Sequence, residues 1–213
     1  MNTYLARTAL AGVAVLTALS MTSCQQVVTE TAKKAFEDRT TQDQVTDTKI
    51  GAGILSSFSD KDKNLLLDVN ADVWEQRVML TGTLDDPKKK DEVVQLVQAD
   101  QRVRKVYDEI HVVTKAEQAQ RREAVKNKDD SKKEGGAGQA VNDFWIETKI
   151  SAQLISTRGV TSVDYRWRSV RNVVYLIGRA RSQEELNTVL SVIRNTEGVK
   201  QVKHFVEIKP VAK

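Results

Sequence analysis

The chain says much the same thing twice. "DTKIGAGILSS" (47–57) aligns with "ETKISAQLIST" (147–157) at an offset of 100. "RVMLTGTL" (77–84) matches "VVYLIGRA" (173–180), and "RVRKVYDEIHVV" (102–113) matches "GVKQVKHFVEIK" (198–209), both at an offset of 96. The four-residue difference is assigned to the loop after the first helix, "FSDKDKNL" against "RGVTS". A duplicated segment must fold within its own length, and 213 residues accommodate two such small units.

Periodicity gives each unit the order helix, strand, strand, helix, strand. Ile50 and Ile54, and likewise Ile146, Ile150 and Leu154, recur at helical spacing. "LDVNADVW" and "SVDYRWRSV" alternate as half-buried strands do, with Val163, Tyr165 and Trp167 on one face. "DDPKKKDEVVQLVQAD" opens with Asp86 and Pro87, a helix-start signal, and sets Val93, Val94 and Val97 on one side. In "SQEELNTVLSVIRNTEG", Ser182 and Glu185 read as a capping box and Gly198 as a C-cap. The expected fold class is α+β: two tandem αββαβ sandwiches, each of two helices on a three-stranded mixed sheet.

The predicted organisation is a leader over 1–23, a tether over 24–42, a first unit over 43–114, a linker over 115–141 and a second unit over 142–213. The linker is charged, then Gly-rich, and too poor in large apolar residues to fold alone, with helical potential in its Ala/Glu/Arg part. In the leader, "MNTYLAR" carries one positive charge, and "ALAGVAVLTALSM" is apolar but shorter than a membrane span. It ends in "MTSC", with small residues before the only cysteine, Cys24. That arrangement resembles a bacterial lipobox, which implies that Cys24 becomes the lipidated N-terminus of the mature chain. The alternative is a plain secretory signal with an incidental cysteine. Gln25, where an inner-membrane lipoprotein usually has Asp, implies an outer-membrane, periplasm-facing address by the same resemblance.

Two units behind such a cysteine resemble the dual BON-domain outer-membrane lipoproteins. The resemblance rests on Leu80–Gly82 and Leu176–Gly178 as "L-x-G", on Gly198, Val199 and Val202 as "GV-x-x-V", and on Asp143, Trp145, Ile146, Thr148 and Lys149 as "D-x-W-I-x-T-K". Val106, Tyr107, Glu109 and Ile110 complete a "V-Y-x-E-I" strand. Arg102 stands where the first unit's Gly is expected, and the hairpins read "EQR" and "VRN" where the family usually places Gly, so a different hairpin geometry is expected. The resemblance implies binding of anionic phospholipid membrane through the first helix of the second unit, and a role in outer-membrane integrity.

On a helical wheel with Trp145 at zero, Ile146, Ile150 and Leu154 fall near 100°, 140° and 180° and define the buried stripe. Phe144 and Trp145 lie off it, with Lys149, Ala152 and Ser156 on the tryptophan's side. The lipid-binding candidates are Phe144, Trp145, Thr148, Lys149 and Ala152, since aromatics beside a cation suit the bilayer interface. The alternative is a staple in which both rings fold back over the helix start. Charge points the same way. Residues 43–114 hold 10 Lys/Arg against 14 Asp/Glu, a net of −4, and residues 143–213 hold 12 against 7, a net of +5. Arg166, Arg168, Arg171, Arg179 and Arg181 are expected to attract anionic lipid, or else to guard strand edges.

No catalytic set emerges, so an enzyme is not expected, and neither a metal nor a cofactor is. His111 and His204 read as half-exposed strand residues that do not align between the repeats. Asp85 and Asp86 read as helix caps. Two rival functions stand: a periplasmic protein-interaction module whose first unit docks an envelope partner, and a stress or chaperone-like protein. The export signal makes nucleic acid an improbable partner.

Overall fold

The computed structural model describes residues 36–126 and 139–210. Cys24, the leader and the Gly-rich part of the linker lie outside the described residues. The span Glu37–Lys213 forms one compact unit. It contains α1 (Thr41–Lys61), α2 (Leu65–Asp68), β1 (Val69–Trp74), β2 (Arg77–Leu84), α3 (Pro87–Gln98), β3 (Lys105–Val112) and α4 (Lys115–Lys126). The second half follows as α5 (Gln139–Ser156), a 3₁₀ turn (Ser162–Asp164), β4 (Tyr165–Val170), β5 (Val173–Ala180), α6 (Gln183–Asn195) and β6 (Gln201–Ile208). Each half is an α+β unit of the expected αββαβ order. Its sheet is mixed: β2 and β5 are central, antiparallel to β1 and β4 and parallel to β3 and β6.

Local chemistry fixes the elements. Asp86 caps α3 by accepting from the Lys88 amide, with Pro87 in the first turn. Ser182 caps α6 from the Glu185 amide, while Glu185 itself reaches the amides of Arg181 and Thr161. The first strands start later than their alternation suggests, because Leu65–Asp68 and Ser162–Asp164 close a helical turn first. The "L-x-G" glycines have a steric reason. Gly82 and Gly178 have φ of 129° and 154°, and a Cβ there would sit 2.1 and 2.2 Å from the carbonyl oxygens of Asp68 and Asp164.

The first helices correct the sequence alignment. Asp47, Ile50, Ile54 and Phe58 are buried in α1, and Asp143, Ile146, Ile150 and Leu154 in α5. All four pairs differ by 96, as do the strands, so no insertion separates the repeats. The shared Thr-Lys-Ile is out of register by four residues, about one helical turn, which leaves the apolar stripe unchanged and hides the slip. The structural partner of Trp145 is therefore Lys49, and that of Phe144 is Thr48.

The hairpins are two-residue loops with both φ positive: 48° and 64° at Glu75 and Gln76, 56° and 64° at Arg171 and Asn172. This is the type I′ turn that usually takes Asn-Gly. Here a helix carboxylate compensates for the missing glycines. Asp47 accepts from the amides of Glu75 and Gln76 at 2.6 and 2.7 Å. Asp143 accepts from those of Arg171 and Asn172 at 2.9 Å each. Each first helix is thereby fastened to its own hairpin.

The helices cover only one face of each sheet. On the other face Trp74 and Met79 meet Val170, Tyr175 and Ile177 in a third apolar cluster, so the two sheets pack together between two helical layers. β2 is consequently buried on both faces along its whole length. The contact is pseudo-twofold: Tyr107 stacks on Phe205 at 4.1 Å, and Glu109 pairs with Lys203 at 2.8 Å. These are the same two positions with the repeats exchanged. Helix α4 spans the joint, its Arg122 on Asp68 and its Arg121 3.2 Å from Asp143.

Candidate functional site

α5 is anchored by its buried stripe, so its remaining residues face outward by geometry alone. Ile150 and Leu154 are fully buried against α6, β4 and β5. Phe144 is 39% exposed and stacks edge-on against Trp145, with ring centroids 5.6 Å apart. Trp145 is half-buried. The Thr148 hydroxyl donates to the Phe144 carbonyl at 2.9 Å, and Ala152 is exposed. Lys149 pairs with exposed Glu197 at 2.7 Å. The site residues read from the sequence thus lie together on the outer side of one helix.

Sequence reasoning missed Ile155, the most exposed large apolar side chain of α5 at 71%. It lies on Phe144's face, eleven residues and about 16 Å further along. Thr148, Ser151 and Ala152 lie between them, leaving a low strip of small residues with one bulky apolar group at each end. The signal was present as an i, i+4, i+7, i+11 spacing, and the eye is drawn from it by the aromatic pair. The equivalent face of α1 carries Val45 and Leu55, 43% and 52% exposed, with Thr48 and Ala52 between them and no aromatic ring.

The five arginines behave differently from expectation. Arg168 forms a two-pronged pair with Asp72 of the first repeat at 2.8 and 3.0 Å. Arg166 binds Glu37, Arg181 binds Asp38 at 2.6 Å, and Arg171 lies 3.5 Å from Glu117 of α4. Arg179 donates to the carbonyls of Asp38 and Lys209. The charge asymmetry between the repeats is spent largely on joining them and on holding residues 37–38. Arg168, Arg171 and Arg181 nonetheless keep 38%, 47% and 46% of their side chains exposed.

Two carboxyls in this region are pushed up to about 7. Burial is the main cause for Glu147, which faces Arg168, Asp72 and Asp143 while accepting from the Ser169 amide. Burial likewise leads for Asp164, beside Asp38 and Arg181. Burial also lowers His111, which shares a hydrogen bond with the Tyr175 hydroxyl, while His204 is exposed on β6. Among the described residues no helix is long and apolar enough to cross a membrane.

A family model described as the BON domain matches residues 42–114 and again 142–210. The chain is 34% identical over 137 residues to an uncharacterized protein in the gshII 5′ region of Anaplasma centrale, covering 64% of this chain and 79% of that one. It is 25% identical over 173 residues to the outer membrane lipoprotein DolP of Haemophilus influenzae, covering 80% and 79%. It is 24% identical over 163 residues to the osmotically-inducible protein Y of Escherichia coli, covering 76% and 73%. With both of its αββαβ units matched by the one family model, this chain belongs to the BON-domain family, as a dual-domain member similar to DolP and to osmotically-inducible protein Y.

Proposed function

We propose that this chain is a lipid-anchored protein of the bacterial outer membrane, facing the periplasm, that binds anionic phospholipid through α5 and supports membrane integrity. Its activity is binding, not catalysis. The observation that carries the reading is the strip on α5, where Phe144 and Ile155 stay out of the core at opposite ends of one helical face. A helix lying flat in the headgroup region would immerse both groups, with the smaller Thr148, Ser151 and Ala152 allowing close approach. Partial burial of a Phe and an Ile is worth roughly 2–4 kcal/mol together. That is modest in solution and sufficient when acylated Cys24 already holds the chain at the membrane, since the second contact then acts at high effective concentration. Trp145 would place its ring beside Phe144 at the interface, and Lys149 would exchange Glu197 for a lipid phosphate. The DolP relative is an outer membrane lipoprotein by its name, which supports the address.

The test is sedimentation of residues 25–213, without lipid, on vesicles with and without anionic phospholipid. Wild type should bind the anionic vesicles, and Trp145→Ala or a Phe144→Ala/Ile155→Ala chain should not. Undiminished binding by the double variant would move the lipid site off α5. A second reading, a protein-docking role for the first repeat, is favoured by exposed Val45 and Leu55 on α1. It predicts that Val45→Ala/Leu55→Ala leaves vesicle binding intact while abolishing function in cells.

A further inference from the structure

Ahead of α1, Glu37 and Asp38 lie across the second repeat in a way that resembles a bound peptide. Both side chains and both backbone groups of Asp38 are read. The Asp38 amide donates to Asp164 Oδ1 at 2.7 Å, and its carbonyl accepts from Arg179 Nη1 at 2.9 Å. Arg181 holds the Asp38 carboxylate with two bonds, at 2.6 and 3.1 Å, and Arg166 takes the Glu37 carboxylate, which is fully buried. The next residue, Arg39, holds the other oxygen of Glu37 through Nε at 2.9 Å and through Nη2, and also turns back to the first repeat, pairing with Asp47 at 2.6 Å and stacking 4.0 Å over the Trp74 ring.

The duplication supplies an internal control. At an offset of 96, Arg166, Arg179 and Arg181 correspond to Asn70, Thr83 and Asp85, and the partner of Asp164 is Asp68, held by Arg122 of α4. The same fold forms in the first repeat without these arginines, so folding alone does not require them. We infer that Arg166, Arg179, Arg181 and Asp164 form a docking site for an extended acidic peptide, occupied in this chain by its own Glu37–Asp38. An acidic segment of a partner protein would displace that resident pair. The recognised group is a peptide and not a lipid phosphate, because the site reads a backbone N–H at Asp164 and a backbone carbonyl at Arg179 together, and a phosphate offers no matching N–H. An internal ligand adjoining α1 competes at an effective concentration on the order of millimolar or higher, so the site opens only to a partner that outcompetes it.

The probe is the capped peptide AFEDRT, residues 35–40, titrated into residues 25–213. A Glu37→Gln/Asp38→Asn chain, its fold checked by circular dichroism, should bind the peptide about tenfold or more tighter than wild type does. Adding Arg181→Gln should weaken that binding by about tenfold or more, the loss expected for a two-pronged charged pair. Equal binding with and without the arginines overturns the site, as does no binding to the opened chain. Wild type gives a second readout: excess peptide should accelerate hydrogen exchange at the Asp38 amide. An unchanged rate, or acceleration by anionic vesicles and not by peptide, contradicts the proposal.

Discussion

α1 and α5 occupy the same place in two copies of one fold and show which positions the fold fixes. The hairpin-binding aspartates, Asp47 and Asp143, and the three buried apolar residues of each helix stand in strict register. Outside that set the helices diverge. Thr48 and Lys49 occupy the positions of Phe144 and Trp145, and Gly51 that of the half-buried Glu147. The aspartate that holds the hairpin and the apolar stripe are constrained by packing, while the positions outside that set differ, Glu147 included, although it accepts from the Ser169 amide of β4. The fold alone therefore does not account for the aromatic pair on α5.

The largest expected effects test the shared scaffold. Ile54→Ala and Ile150→Ala occupy equivalent buried sites and should each cost about 2–5 kcal/mol in urea unfolding, through lost burial and a cavity. Markedly unequal costs would show that one repeat carries the stability of the pair.

Next come the hairpin carboxylates. Asp47→Ala and Asp143→Ala should each cost about 2–4 kcal/mol, since each strands two turn amides and an arginine. This pair also decides the register. At an offset of 100 the counterpart of Asp47 would be Glu147, and Glu147→Ala would then cost as much as Asp47→Ala.

Glu147 should behave in the opposite way. Its folded-state value is raised to about 7 from an ordinary 4.5, so the folded chain keeps a proton that the unfolded chain has lost. Stability therefore falls as pH rises from about 4.5 to 7, by on the order of 1–3 kcal/mol, and Asp164 adds a change of the same sign. Glu147→Gln should flatten part of that slope in thermal melts between pH 5 and 8. Asp62, held low chiefly by its hydrogen bond from Lys89, contributes stability that is lost on acidification instead.

The smallest effect on stability belongs to the residues with the largest expected effect on function. Phe144→Ala and Trp145→Ala should change unfolding by less than about 1 kcal/mol, because both lie off the buried stripe.

Much of this was legible beforehand. Asp86-Pro87 and Ser182-Glu185 announce their helices by chemistry that acts within a few residues, and duplication multiplies each weak signal by two. The helix register was not legible, because a four-residue slip preserves the apolar face and the repeated Thr-Lys-Ile favoured the wrong one. Sheet-on-sheet packing was not legible either, because "RVMLTGTL" mixes Arg77, Thr81 and Thr83 with its apolar residues, and their burial follows only from the second sheet lying over them. The opposite charges of the repeats were visible, but which surface they meet depends on tertiary placement. In the structure Arg168 meets Asp72, and the basic surface read from the sequence is largely used up inside the chain.

The most direct test sets equivalent positions 49 and 145 against each other in lipid. Tryptophan fluorescence would be recorded on anionic vesicles containing brominated phospholipid for wild type and for a Lys49→Trp/Trp145→Phe chain. Trp74 is buried, and Trp167 donates its indole N–H to the Glu147 carbonyl at 3.3 Å, so both give a background common to the two proteins. Strong quenching is expected in wild type, and only that background when the tryptophan is at 49. Equal quenching of the two proteins would show that the second repeat is not the membrane-facing one.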